Sequence, residues 1–163
     1  LLISDHLGNG SELDDNEVEI VQNALQLSEK RVHQIMTPLR DVYFIYDDEV
    51  IDGKKIDELT DENWSRIPIL NREKTASKRF IVLKELVDID FDERSFSLKE
   101  VKTHRAKTVG SMTALDTMFR KFIAARSHMM IVEKDDKIVG IVTIEDLIEE
   151  IIGHEIEDEG DDR

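Results

Sequence analysis

The chain has 163 residues, 40% of them hydrophobic and 36% charged, with a formal net charge of −15 and no cysteine. That apolar share fills one good core or two small ones; the missing thiols exclude a disulfide framework or thiolate metal centre, and the negative charge opposes nucleic acid and anionic membrane surfaces. No apolar run approaches the ~18 residues of a membrane span and no signal peptide is visible, and the start at Leu1-Leu2-Ile3 reads as a domain cut from a longer protein.

Ser4 to Gly10 reads as a frayed leader. Asp14-Asp15-Asn16-Glu17 is a capping-box-like start for a helix with the apolar stripe Val18, Val21, Ala24 and Leu25, extended by Ile20, which should pack on the module or on a partner domain. Ser28 starts a second short helix through Ile35, ended by Pro38. Asp41 to Tyr46 is rich in aromatic and β-branched residues and predicts a strand. Asp52 to Asn63 is weakly periodic and reads as a helix mainly by its place in a repeat described below. Ala114, Leu115, Met118, Phe119, Phe122 and Ile123 recur at helical spacing; such residues are core far more often than a ligand groove. Leu147, Ile148, Ile151 and Ile152 form another helical face, with Gly153 as its stop. The carboxylate-rich segment His154 to Asp162 lacks the spacing of a calcium loop and reads as a solvated linker.

Two stretches share one plan. Ile67 to Leu70, a polar turn from Asn71 to Lys78, Phe80 to Leu83 and Lys84-Glu85-Leu86 match Met129 to Val132, the turn Glu133 to Lys137, Ile138 to Val142 and Glu145-Asp146-Leu147. The lead-ins Ser65-Arg66 and Ser127-His128 align, and upstream Val32 to Pro38 aligns with Leu98 to His104. Two copies of about sixty residues argue for a paired module, because solenoids need more repeats of shorter period.

The chemistry concentrates at Gly140-Ile141-Val142-Thr143-Ile144-Glu145-Asp146, where a β-branched strand runs into an amphipathic helix. A carboxylate there can accept from two sugar hydroxyls, while Thr143 and the open N–H groups of the first helical turn face a phosphate. Thr143 and Asp146 equally suit a plain helix cap. The same positions in the first copy are Arg79 to Glu85: arginine replaces glycine, Val82 replaces the hydroxyl and Glu85 the carboxylate. Val82 cannot donate and Arg79 crowds the backbone, so that copy is expected to be empty. A catalytic reading finds little support. Histidines 6, 33, 104, 128 and 154 lack metal-ligand spacing, no phosphate loop or nucleophile elbow occurs, and neighbours such as Ser127 and His128 point to opposite faces of a strand. The expectation is a protein that is not an enzyme.

The paired plan resembles a tandem of cystathionine-β-synthase (CBS) motifs. Ile35 to Val42, Ser65-Arg66-Ile67-Pro68, Gly140 to Gly153 and the acidic helix Glu17 to Leu25 look like the CBS pair of the CorC/CNNM (hemolysin C-like) magnesium transporter family, over roughly Asp14 to Glu157. The resemblance implies an α/β (α+β) fold: a tandem CBS-domain pair of two βαββα repeats behind an N-terminal helix. The corresponding division is 1–30 leader and acidic helix, 31–95 first motif, 96–154 second motif and 155–163 acidic linker. It further implies a regulatory module at the cytoplasmic face of the membrane, attached to a transmembrane domain, dimerising through its CBS helices and binding an adenine nucleotide. The implied nucleotide-binding residues are Thr37, Trp64, Ser65, Arg66, Ile67, Ile141, Thr143 and Asp146. Asp146 would take the ribose hydroxyls, Thr37 and Thr143 the phosphates or sugar, Arg66 the phosphates, and Ile67 and Ile141 would supply apolar walls. Trp64 either stacks on adenine or covers the core at a helix end. ATP carries about four negative charges, so Mg2+ on its phosphates is the natural companion for so acidic a protein, and no protein-held metal is expected. The alternative is a ligand-free dimerisation scaffold of the same membrane protein.

Overall fold

Asp14 accepts a hydrogen bond from the Glu17 N–H at 2.8 Å and so begins helix α1 (Asp15–Glu29), as the capping signal predicts. The structure, a computed structural model, describes residues 14–75 and 78–161, the last eight of these without their side chains; the leader read at Ser4 to Gly10 lies outside the described residues. Ser28 does not open a new helix: it lies in the last turn of α1, its hydroxyl donating to the Leu25 carbonyl at 2.7 Å. Helix α2 (Val32–Ile35) starts instead after Arg31, whose N–H donates to Gln34 Oε1 at 2.7 Å. The short strand β1 (Thr37–Pro38) and a 3-10 turn (Leu39–Asp41) follow. The strand expected over 41–46 shrinks to β2 (Ile45–Tyr46), because the 3-10 turn closes through Val42 N–H to the Leu39 carbonyl.

The remaining elements are β3 (Val50–Ile51), α3 (Gly53–Asp61), β4 (Arg66–Leu70), β5 (Arg79–Val82), β6 (Phe96–Ser97), β7 (His104–Arg105), β8 (Lys107–Gly110), α4 (Leu115–Ala125), β9 (Met129–Lys134), β10 (Lys137–Thr143) and α5 (Ile144–Asp161). They form two four-stranded sheets in the orders β2-β4-β5-β7 and β8-β9-β10-β1, plus the small pair β3-β6. In each large sheet the first pair is parallel, β2 with β4 and β8 with β9, and spans a helix; the next two pairs are antiparallel. The duplication is therefore real in three dimensions, and each sheet is completed by a strand from before the other copy: β1 borders β10, and β7 borders β5. The copies differ at their ends, since the final helix of the first is only a 3-10 turn (Leu83–Leu86), whereas the second ends in the 18-residue α5.

The geometric repeat is displaced by one residue from the one read in the sequence. Arg66 pairs with Val82, and Met129, not His128, pairs with Thr143. Leu83 N–H donates to the Ser65 carbonyl at 2.9 Å, as Ile144 N–H donates to that of His128 at 3.0 Å. The left-handed residues agree, Asn63 at φ 61° and Arg126 at φ 51°. Ser65 thus corresponds to His128 and Arg66 to Met129. The cause lies in the second copy, where a register irregularity between Ile138 and Gly140 follows a tight turn at Asp135 and Asp136. The upstream alignment shifts likewise: Thr37 faces Ile141 while His104 faces Phe80, so His104, not Thr103, stands where Thr37 does.

Three apolar zones hold the assembly. Ile45, Ile51, Leu59, Ile67 and Ile81 pack beneath α3, and Met118, Phe122, Met130, Val132 and Leu147 pack beneath α4 and α5. Between the sheets lie Leu70, Ala106, Ile131 and Ile138, and beside them Val42, Met129 and Ile141. Met118 and Phe122 are buried, as a core reading of the α4 stripe requires; Ile123 from the same stripe is 59% exposed. Gly153 does not stop α5, which continues to Asp161. A glycine stop works through a left-handed backbone, and Gly153 lacks one. The acidic segment from His154 accordingly begins as helix.

Candidate functional site

At the end of β10, Thr143 and Asp146 cap α5 reciprocally. Asp146 N–H donates to Thr143 Oγ1 at 3.1 Å, and Thr143 N–H donates to Asp146 Oδ2 at 3.0 Å. The capping role is thus satisfied, and chemistry remains to spare. Asp146 is half-buried and its Oδ1 accepts nothing from the described residues, while the Thr143 hydroxyl hydrogen stays available to a ligand. The helix start offers less than the sequence suggested, because Ile144 N–H is taken by the His128 carbonyl and Asp146 N–H by Thr143.

Strand β1 brings Thr37 to this end of the sheet, where it lies opposite Ile141 with Pro38 opposite Gly140. Gly140 makes the approach possible. A Cβ there would stand 2.4 Å from the Thr37 carbonyl oxygen and 3.0 Å from Met36 Sδ. The glycine therefore admits the neighbouring strand β1. Ile141 is buried in the cluster with Val42 and Met129, and Trp64 packs on that cluster from the first copy as well as on the core below α3. Thr37 thus meets Ile141 across the β1–β10 pair, two residues before Thr143, and Trp64 touches the cluster that holds Ile141. Ile67 does not join them: it is fully buried beneath α3 beside Leu59 and Ile81, so it walls no cleft.

Trp64, Ser65 and Arg66 line a cleft of about 480 Å3 with Asn63, Val82 and Leu83. Arg66, paired with Val82, also borders a cavity of about 340 Å3 that includes His104, Arg105 and Arg126. Its cleft partners are those of the first copy. Glu85 there accepts from Lys102 Nζ at 2.9 Å and is bonded to His104 Nε2 at 2.5 Å. The Lys102 contact, then the His104 contact, hold its carboxyl below the usual range. Arg79 does not crowd the first-copy cleft. Its guanidinium turns to the surface and donates to Thr103 Oγ1 at 2.7 Å and to the Thr103 carbonyl at 3.0 Å.

Ser127 and His128 precede β9 and line the same cavity, so the opposite-faces argument fails for them. Ser127 Oγ donates to the Met129 carbonyl at 2.8 Å and accepts from the Met129 N–H at 3.3 Å, a local turn that occupies the hydroxyl. Among the described residues no group of His, Cys, Asp and Glu side chains could hold a metal ion, and no helix is long and apolar enough to cross a membrane. Sequence reading missed the concentration of cations around the smaller cavity; the run His104-Arg105 with Lys107 was its available signal.

Comparison with known proteins agrees with this architecture. A CBS-domain family model matches residues 98–153. The chain is 31% identical over 160 residues to the metal transporter cnnm-1 of Caenorhabditis elegans, across 90% of this chain and 20% of that protein. It is 30% identical over 152 residues to the magnesium and cobalt efflux protein CorC of Buchnera aphidicola, across 92% of this chain and 51% of the relative. The chain therefore spans a fifth of one relative and about half of the other. A solved CBS domain of a bacterial CNNM/CorC family Mg2+ transporter in complex with ATP superposes with a TM-score of 0.72 at 26% identity, covering 85% of this chain and 98% of that one.

Proposed function

We propose that this chain, which resembles the CBS-domain modules of the CNNM/CorC family of Mg2+ transporters, binds Mg-ATP and controls an attached divalent-cation transporter. The observation that carries the reading is the reciprocal Thr143–Asp146 cap, which keeps one carboxylate oxygen and one hydroxyl hydrogen unspent beside Thr37. Asp146 Oδ1 takes ribose hydroxyls, Thr143 and Thr37 address the sugar or phosphates, and Trp64 flanks the base. Ser65 lies beside Trp64 at the cleft mouth. Arg66 reaches the phosphates only from the first-copy side, so it contributes least to the seat. Mg2+ enters on the phosphates, offsetting repulsion from a chain of net charge −15.

The module sits at the cytoplasmic face and works as a homodimer. Ile123 of α4 and Ile148 and Ile152 of α5 are exposed apolar residues on two neighbouring helices, a surface suited to a self-complementary seam. Nucleotide acts by favouring one closure of that dimer over another, which requires different affinity for the two. Isothermal titration with Mg-ATP tests the reading: saturable heat from the wild type and roughly tenfold or greater weakening in Asp146→Ala are expected, as for loss of a hydrogen bond to a charged group. No heat, or unchanged affinity in the variant, overturns it. The same exposed isoleucines favour a second reading, a ligand-free dimerisation scaffold. Sedimentation would then show a tight dimer indifferent to nucleotide.

A further inference from the structure

One pair of short segments is fastened at both ends. Lys30 to Thr37 runs from the end of α1 through α2 into β1, and Thr143 to Glu150 carries the end of β10 into the opening turns of α5. The seat of the proposed function spans the two segments at one end, where Thr37 lies beside the Thr143–Asp146 cap. At the other end Lys30 Nζ is ion-paired with Glu150 Oε1, and the two side chains are partly buried, 33% and 23% exposed. Between these ends Val32 and Leu147 are fully buried in one apolar cluster, with Ile35 and Ile151 at its margin.

The first segment is anchored firmly, and the set of α5 against it depends on side chains. The Lys30 carbonyl accepts from Leu115 N–H at 3.0 Å, that of Thr113 from Val32 N–H at 3.0 Å, and that of Ser111 from His33 N–H at 2.9 Å, so the stretch is tied to the opening of α4. The β1–β10 ladder fixes Thr37 against Ile141 and ends there. Past that pair, α2 and α5 meet through the Val32–Leu147 cluster and the Lys30–Glu150 pair. Asp146 and Glu150 stand one turn apart on α5 and share a face, where like charges repel; Lys30 neutralises the second of them.

We propose that Lys30 and Glu150 are positioning residues for the nucleotide seat: their ion pair sets α5 so that Asp146 is presented beside Thr37, and a nucleotide held by those residues strengthens the ion pair in return. Two clasps on one pair of segments support each other, because the first to close has already met the entropy cost of aligning them for the second. The inference rests on the nucleotide reading and adds to it a route from the seat to α1, since Lys30 is the C-cap of that helix.

Calorimetric titration of Mg-ATP into the intact chain, Lys30→Met, Glu150→Gln and the double variant tests it. Each single variant is expected to bind about threefold more weakly than the wild type, the scale of a partly exposed ion pair, and the double variant no more weakly than the singles. Lys30→Arg keeps the charge and should keep wild-type affinity. Salt at about 1 M should bring variants and wild type together, because screening removes the pair from the wild type; a loss that persists in salt marks a structural defect and overturns the proposal. Weakening in Lys30→Met with tightening in Glu150→Gln would mark bare attraction and repulsion of the phosphates, and overturns it too. So do additive losses. A wild type that gives no heat removes the nucleotide reading and this inference together, whereas a wild type that binds, with unaffected single variants, removes this inference alone.

Discussion

Gly140 shows how one missing atom sets the site. Because a Cβ would lie 2.4 Å from a backbone oxygen, Thr37 O, no side-chain rotation can relieve the clash. Gly140→Ala should therefore push β1 off β10, lowering stability by about 1–3 kcal/mol, the usual range for overpacking. A lower urea midpoint with unchanged slope checks this, and Mg-ATP heat should fall with it as Thr37 is displaced. The motif made this glycine conspicuous in the sequence, but its reason was illegible there. Its neighbour is β1, about a hundred residues away, and no local pattern announces that pairing. Thr143 and Asp146 were legible because a cap is a local device, with hydroxyl and carboxylate three residues apart. Ile67 was misplaced for the opposite reason: nothing local says which side of a strand buried on both faces meets the helix.

Helices were readable in proportion to their periodicity. The α4 stripe predicted an element that the structure places at Leu115–Ala125, with Met118 and Phe122 buried. Where cues competed, the reading failed. Ser28 is a good cap residue, but the preceding turns of α1 already satisfy it. The one-residue displacement between the copies was equally hidden, since the serine in each lead-in gave a matching letter while backbone pairing followed a different partner. A slip of one residue exchanges the two faces of a strand, so Arg66, which stands where Met129 does, takes the face opposite to the one its alignment with His128 implied. Gly153 lies within α5, and nothing lies within 4 Å of a Cβ added there. Gly153→Ala should consequently stabilise the helix by about 0.5–1 kcal/mol, read as increased helical circular dichroism and a higher thermal midpoint.

For the molecule as a whole, the exchange of β1 and β7 makes the halves interdependent. Neither copy completes its own sheet, and the Leu70, Ile131 and Ile138 face is buried only when both are present. Residues 96–161 produced alone should lack a cooperative thermal transition and bind a hydrophobic dye, and adding 14–95 should restore both. Independent folding of that half, with a sharp transition, would contradict the interdependence. The duplication itself was legible because two apolar runs and a turn recur in order; the exchange was not, because both lead-in strands are two residues long and carry no alternating pattern.

Helix α5 starts at the very residues that cap it and continues for 18 residues in one piece, about 27 Å at the usual rise. A tilt of about 5° imposed on its first turn carries the far tip sideways by about 2 Å. Under the proposed function, a ligand that reshaped the Thr143–Asp146 bracket would thereby be felt most at the far end of α5.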